Sequence, residues 1–237
     1  KLLVAGAATF GIRLSPAQTG QFCRYYSCIV ESNRKVNLTS VTDWTEVQSR
    51  HFLDSLSVSV AIPPDMLQSG RFVDIGSGAG MPGVPLKIAF PGLRPTLIES
   101  TAKKTAFLSG LAAALGLSDL RVCTGRAEDL AQDPELRESF DFVVARAVAG
   151  MSTLAELTLP FCRVGGLVIA QKKLTARDEI DRAETAIEAV GGRLLDIREV
   201  CVEGLEDTRA LVVLEKVQAT PTRFPRRPGI PAKRPLG

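Results

Sequence analysis

The sequence is short of several things, and each shortage removes a class of protein. It has one histidine in 237 residues, and its five cysteines (Cys23, Cys28, Cys123, Cys162, Cys201) are widely spread and never form C-x-x-C. A zinc centre needs about four such ligands at close spacing and a disulfide scaffold needs a dense, even set, so neither organises this chain. Reduced thiols and a cytoplasmic location are the expectation. Aromatics make up only 5%, too few to wall a small-molecule pocket with rings. No apolar run approaches the roughly 20 residues that cross a bilayer. Lys1 followed by LLVAGAATFGI imitates a signal peptide without a basic region or a clean A-x-A site, and reads as a short helix. Glycine (20) and proline (14) are too few for a fibrous or wholly disordered chain. What is there, 45% hydrophobic and 23% charged residues, suits a globular domain with its own apolar core.

Charge is placed unevenly. Residues 218–237 (QATPTRFPRRPGIPAKRPLG) hold five basic residues, five prolines and no acid, which leaves 24 basic against 26 acidic residues in the body. Such a segment is expected to be extended when free. It is either a solvated terminus or an arm that meets phosphates.

Residues 1–64 read as a helical cap. Ser15-Pro16-Ala17-Gln18 is a capping box with proline at the first helical position, followed by Phe22, Tyr25, Ile29 and Val30 on one face. Asp43 and Glu46 mark a second start, with Trp44, Val47, Leu53, Leu56 and Val60 at helical spacing before Pro63-Pro64 stops the run. Residues 65–217 change to short apolar runs (Phe72–Ile75, Thr96–Ile98, Leu120–Cys123, Phe142–Ala145, Leu167–Ala170) separated by helix patterns. One helix is expected over 101–115 with Gly116 as stop. Another is expected over 175–190, capped by Thr175 and burying Ile180, Ala183, Ile187 and Val190. Alternation of this kind implies a parallel sheet covered on both faces. Two further strands, near 193–202 and 208–216, close it as a hairpin.

The most informative stretch is Phe72-Val73-Asp74-Ile75-Gly76-Ser77-Gly78-Ala79-Gly80-Met81-Pro82-Gly83. A buried strand runs into alternate glycines, Gly76, Gly78 and Gly80, so a ligand can lie against bare backbone at the carboxyl edge of the sheet. Gly78-x-Gly80-x-x-Gly83 also matches the dinucleotide fingerprint. Glu99, 23 residues after Gly76, suits a ribose diol in either class. Gly125-Arg126-Ala127-Glu128-Asp129 after the third strand offers an acid to an adenine amino group. The closing hairpin belongs to S-adenosylmethionine-dependent methyltransferases rather than to the usual dehydrogenase half-fold. S-adenosylmethionine is therefore the favoured cofactor.

These residues also carry a resemblance. Asn37-Leu38-Thr39, Arg50-His51-Phe52-Leu53-Asp54-Ser55-Leu56, the glycine stretch through Met81-Pro82-Gly83, Gly125-Arg126-Ala127-Glu128, Arg146-Ala147, and Phe224-Pro225-Arg226 with Pro235-Leu236 resemble the glucose-inhibited division protein B family, bacterial 16S rRNA guanine-N7 methyltransferases. The likeness covers nearly the whole chain. It implies a Rossmann-like class I methyltransferase, an α/β fold with a mostly parallel seven-stranded sheet, a C-terminal antiparallel hairpin and the N-terminal helical cap. It also implies transfer to guanine N7 in 16S ribosomal RNA, in the 530-loop region. By resemblance Gly76, Met81, Ala127, Glu128 and Arg146 match cofactor-contacting positions and Glu99 the ribose-binding acid. The chain departs from the pattern at Ala145-Arg146-Ala147, where many members have Ser-Arg-Ala, and at Lys172-Lys173, where Lys-Gly is usual.

Methylation at N7 removes no proton, so no general base is needed. Positioning candidates are the strand-end cations Arg126, Arg146 and Lys172. His51 is expected to be structural, sharing a face with Asp54 at i+3 while Arg50 reaches Asp54 at i+4. The same helix, with Asn37, is alternatively a lip of an RNA pocket. Arg223 and Arg226 of the arm complete the expected RNA contacts; the alternative that the resemblance implies is that Phe224-Pro225-Arg226 folds back near the cofactor pocket. A [DN]-P-P-[YF] turn for adenine amino methylation is missing at Ala145-Arg146-Ala147-Val148, and Cys123 and Cys162 lack the activating neighbours that cytosine C5 chemistry needs. The expected partner is 16S ribosomal RNA or a small-subunit particle, bound by a monomer without metal or membrane. A small-molecule methyltransferase and a non-catalytic RNA- or nucleotide-binding module remain as alternatives.

Overall fold

The computed structural model describes residues 1–146, 149–174 and 177–237. Ala147, Val148 and the expected cap Thr175 lie outside the described residues. Seven strands form one sheet: β1 (Arg71–Ile75), β2 (Arg94–Glu99), β3 (Arg121–Thr124), β4 (Phe140–Arg146), β5 (Cys162–Lys173), β6 (Gly192–Val200) and β7 (Arg209–Lys216), in the order β3-β2-β1-β4-β5-β7-β6. The first five pair in parallel, whereas β7 runs antiparallel to both β5 and β6. All five short apolar runs form strands and the closing hairpin is present. Consecutive strands run outward in opposite directions from the β1–β4 junction, which opens a crevice at their carboxyl ends.

The strand period of two sorts residues onto the two faces. Phe72 and Phe142, stacked with ring centres 4.8 Å apart, belong to a buried cluster that also holds Phe22, Tyr25 and Phe52 of the cap. Val73 and Val143, one residue on, point into a second cluster with Leu154, Phe161 and Ile187. The cap and one face of the sheet thus share a core.

The cap starts with α1 (Leu2–Thr9) and α2 (Pro16–Val36). Ser15 Oγ accepts from Gln18 N–H and Gln18 Oε1 accepts from Ser15 N–H, so the expected capping box forms. The Gln18 amide then donates to Ile88 O of α6 (Gly83–Ala89), tying this helix start to the sheet domain. Asn37, in the left-handed region at φ 51, closes α2. The second cap helix departs from even spacing. It runs as α3 (Trp44–Val47), a π segment (Gln48–Leu53), α4 (Asp54–Leu56) and a tight 3-10 turn (Ser57–Ala61). The run ends at Ala61, just before Pro63-Pro64 as expected, and Pro64 then begins α5 (Pro64–Ser69). The wider turns shift register, so the i+3 and i+4 relations expected for Asp54 do not form.

Between strands lie α7 (Ala102–Leu115), closed by Gly116 at φ 64, α8 (Ala127–Leu130) and α9 (Met151–Thr158). The helix expected over 175–190 is split into α10 (Arg177–Asp181) and α11 (Glu184–Ala189), yet Ile180, Ala183, Ile187 and Val190 are all buried as the pattern required. The C-terminal segment is not a free arm. Phe224 joins the second core cluster, and residues 230–233 form α12 (Ile230–Lys233). Its prolines deny it a long regular element, but Arg137, Glu138 and Glu156 of the body satisfy its backbone polar groups and hold it down.

Candidate cofactor and substrate site

The glycine loop leaves β1 with Gly76, Gly78 and Gly80 at positive φ of 73, 56 and 100. Three acid or hydroxyl groups fix its path. Glu99 Oε2 accepts from Gly78 N–H at 3.1 Å while its Oε1 accepts from Thr101 N–H at 2.8 Å. Asp74 Oδ2 accepts from Gly83 N–H at 2.9 Å, and Tyr25 of α2 donates its hydroxyl to Ala79 O at 2.6 Å. The glycines are not equivalent. A Cβ on Gly78 would meet nothing nearer than Gly76 O at 3.9 Å, so the face above this residue is open. A Cβ on Gly80 would stand 2.8 Å from both Tyr25 and Val84, so the lack of a side chain at Gly80 lets the loop pack against the cap.

Asp74 is fully buried and its Oδ1 has no hydrogen-bond partner among the described residues. Burial pushes its carboxyl up from 3.8 to about 7, against the opposing pull of Gly83 N–H and of Arg146. An acid raised on folding contributes stability that is complete below about pH 4 and lost as pH rises through about 7. Stability of the cofactor-free protein should therefore fall between pH 5 and 8, and Asp74→Asn should lose less over that interval. Urea denaturation of both proteins at the two pH values measures it; equal falls would show that Asp74 does not titrate there.

Arg146, at the end of β4, links this loop to a second feature. Its Nη2 lies 3.4 Å from Met81 Sδ, and its Nη1 donates to Asp54 Oδ2 at 2.9 Å and to Arg50 O at 3.1 Å. Arg209 Nε, from β7, donates to the other Asp54 oxygen at 2.7 Å. Asp54 is thus clamped between two arginines on the floor of a cleft of about 670 Å³ lined by Arg50, His51, Gln171 and Lys172 among others. The Gln171 amide donates to Asp54 O at 2.8 Å. Neither Gln171 nor Arg209 stands out in the sequence, because each sits among other polar residues at the end of an apolar strand run.

The other expected site residues divide sharply. Arg50 pairs with Glu46 at 3.5 Å in solvent, not with Asp54. His51 Nδ1 donates to Arg50 O and its Nε2 accepts from Thr39 Oγ1 at 2.7 Å, so it holds the Asn37-Leu38-Thr39 turn. Burial and the neighbouring Arg146 lower its pKa to about 4, leaving it neutral. Asn37 is exposed at the same turn. Lys172 is bound to Glu179 at 2.9 Å and to Ala149 O, which removes it as a free positioning cation. Arg126 is half exposed, 3.4 Å from Glu128. Ala127 and the buried Glu128 open α8. Arg223 lies over the Phe224 ring, and Arg226 is bound to Glu156. Burial pushes the Cys162 thiol up to about 12, which leaves it inert as a nucleophile. No group of three His, Cys, Asp or Glu side chains is gathered for a metal among the described residues, and no helix there is long and apolar enough to cross a membrane.

The sequence model of the GidB family, rRNA small subunit methyltransferase G, matches residues 18–210. The chain belongs to that family. Its curated relatives include the ribosomal RNA small subunit methyltransferase G of Dehalococcoides mccartyi strain CBDB1, 50% identical over 99% of this chain and 98% of the relative. The corresponding protein of Roseiflexus castenholzii is 47% identical over 97% of each. Among solved structures, a 16S rRNA adenine methyltransferase from Catenulisporales acidiphilia with its cosubstrate SAM superposes with a TM-score of 0.52 at 15% identity, covering 68% of this chain and 94% of that one. TrmN from Thermus thermophilus gives 0.51 at 18% identity, over 72% and 53%. These two distant likenesses establish the class I methyltransferase fold; the family membership rests on the full-length relatives.

Proposed function

We propose that this protein transfers a methyl group from S-adenosylmethionine to N7 of a guanine in 16S ribosomal RNA, acting as a cytoplasmic monomer on naked RNA or a small-subunit particle. The observation that carries this reading is Arg146, one side chain joining the glycine loop to the cleft across the β1–β4 junction. Cofactor on one side and base on the other would meet at its guanidinium.

The residues present fit the cofactor. Gly78 offers open backbone, and Glu99 keeps a lone pair on Oε2 for a ribose hydroxyl, while its Oε1 accepts from Thr101 N–H and, at 3.4 Å, from the Ser100 hydroxyl that a diol could displace. Asp74, a buried carboxyl with one orphaned oxygen and a pKa raised to about 7, would be drawn toward its charged form by a cation above the loop. Gly76, Gly78, Met81, Glu99, Ala127, Glu128 and Arg146 would hold the group, which when bound supplies an electrophilic methyl on sulfur. What the chain must then do is orient the base and exclude water. Guanine N7 takes the methyl through its own lone pair and no proton leaves it. A neutral His51 spent on Thr39 and an inert Cys162 agree with chemistry that asks for no base and no nucleophile. Arg209 and Arg146, pinned by Asp54, present guanidinium edges to the cleft, where a base O6 or a phosphate would be recognised.

The decisive experiment incubates the protein with unmodified 16S rRNA, free and in small subunits, with labelled S-adenosylmethionine, and maps the product. Label at N7 of a single guanine is expected; label on an adenine or cytosine, or only in the small-molecule fraction, would overturn the assignment. Glu99→Ala should weaken S-adenosylhomocysteine binding by about 1–3 kcal/mol, the scale for losing a charged hydrogen-bond partner. A shift within ~0.5 kcal/mol in calorimetric titration would make Glu99 a loop brace only.

A further inference from the structure

The segment after Lys216 lies on the body as a strap with two chemically different sides. Its inner side is held by charged groups. Arg226 grips the fully buried Glu156 with Nε at 2.9 and 3.1 Å and Nη2 at 2.6 Å, and its own N–H donates to the same carboxylate at 2.8 Å. Arg137 donates to Thr220 O at 2.9 Å and Phe224 O at 3.0 Å. Farther along, Gly229 N–H donates to Glu128 Oε1 at 2.9 Å, and Thr153 donates its hydroxyl to Pro231 O at 2.9 Å. These last contacts reach α8 and the first turn of α9, which follow the carboxyl ends of β3 and β4. The helix α8 has only four residues and no side-chain cap, so little within it fixes the Glu128 carboxylate. Among the described residues, its partners are Arg126 at 3.4 Å and the strap N–H.

The outer side carries Arg223, Arg227, Lys233 and Arg234, all exposed and none in an ion pair among the described residues. No acidic residue lies within the strap to neutralise them. The match to the family's sequence model ends at residue 210, so the strap lies beyond it.

We propose that the strap works on both sides: its inner side completes the cofactor pocket by fixing Glu128 through Gly229 N–H, and its outer side docks the phosphates of single-stranded RNA through Arg227, Lys233 and Arg234, so that RNA and cofactor bind cooperatively. The proposal rests on the assignment of Glu128 to the cofactor made above. Fixing a contact residue in advance spares the cofactor the ordering cost, and by linkage RNA and cofactor then raise each other's affinity by the same factor.

Four measurements on the full chain test it. The uncharged latch Glu156→Gln/Arg226→Met, which leaves no buried charge unpaired, should bind S-adenosylhomocysteine about tenfold more weakly; wild-type affinity would overturn the inner half. Hydrogen exchange on the wild-type chain needs no variant to fold: S-adenosylhomocysteine should slow exchange over residues 224–233, and unaltered rates there would overturn the same half. The triple variant Arg227→Gln/Lys233→Gln/Arg234→Gln should lower the slope of log K against log salt for an unmodified 16S rRNA fragment by up to about 2, at roughly 0.7 per phosphate contact. An unchanged slope would overturn RNA docking. In the wild type alone, that fragment should tighten S-adenosylhomocysteine binding; no tightening would overturn the coupling. A wild-type chain that binds no S-adenosylhomocysteine at all would instead refute the cofactor reading on which the strap depends.

Discussion

Asp54→Ala is expected to cost about 3–5 kcal/mol of folding stability, the scale for removing one partner of a buried ion pair. Asp54 is 3% exposed and neutralises Arg146 and Arg209, whose side chains are 19% and 17% exposed. Removing it leaves two largely buried guanidinium groups facing one another. These pairs join the cap helix to β4 and β7, so the loss should appear as weaker docking of the cap as well as a lower denaturation midpoint. Chemical denaturation of Asp54→Ala beside Asp54→Asn separates charge from hydrogen bonding, since the amide keeps one acceptor. A loss below ~1 kcal/mol for the alanine variant would show that the cap is held by its apolar contacts alone.

Gly78→Val should abolish measurable S-adenosylhomocysteine binding, a loss on the order of 100-fold or more in affinity, while the protein stays folded. A branched side chain opposes the φ of 56, and its methyl groups would fill the open face above the loop. The strain is of order 1–2 kcal/mol, which a domain of this size tolerates. Gly80→Ala makes the informative contrast. Its Cβ would press on Tyr25, Val84 and Leu108, so it should lower stability more than Gly78→Val and affinity less. Calorimetric titration and thermal melts on both variants decide between these roles. Near-normal affinity in Gly78→Val would remove the loop from the cofactor site.

How much of the site is legible in the sequence depends on the range of each interaction. Glu99 is legible because it ends β2 beside the glycine loop, whereas Asp74, inside β1, reads only as a strand residue until the fold brings Gly83 N–H to it. Lys172 and Arg226 are legible as cations, but nothing near them in the chain shows that each is already paired. Their partners Glu179 and Glu156 lie on helices that the topology carries to them, and Glu156 is separated from Arg226 by 70 residues. Even helical spacing would set Arg50 and His51 against Asp54, but the segment forms π turns and sends them elsewhere.

Local pattern by itself determined the strands, the capping box, the glycine loop and the closing hairpin, because period, capping and turn chemistry act over a few residues. It also determined the family, since that likeness lives in short contiguous motifs. Only the tertiary structure decided what each charge is for. Asp54 gathers arginines from β4 and β7, Tyr25 of the cap braces the loop, and a proline-rich basic tail becomes a strap against Glu128 and Glu156. The physical reason is that a buried charge must find an opposite charge or a hydrogen bond wherever the packed chain offers one, and that choice is made across the fold rather than along the sequence.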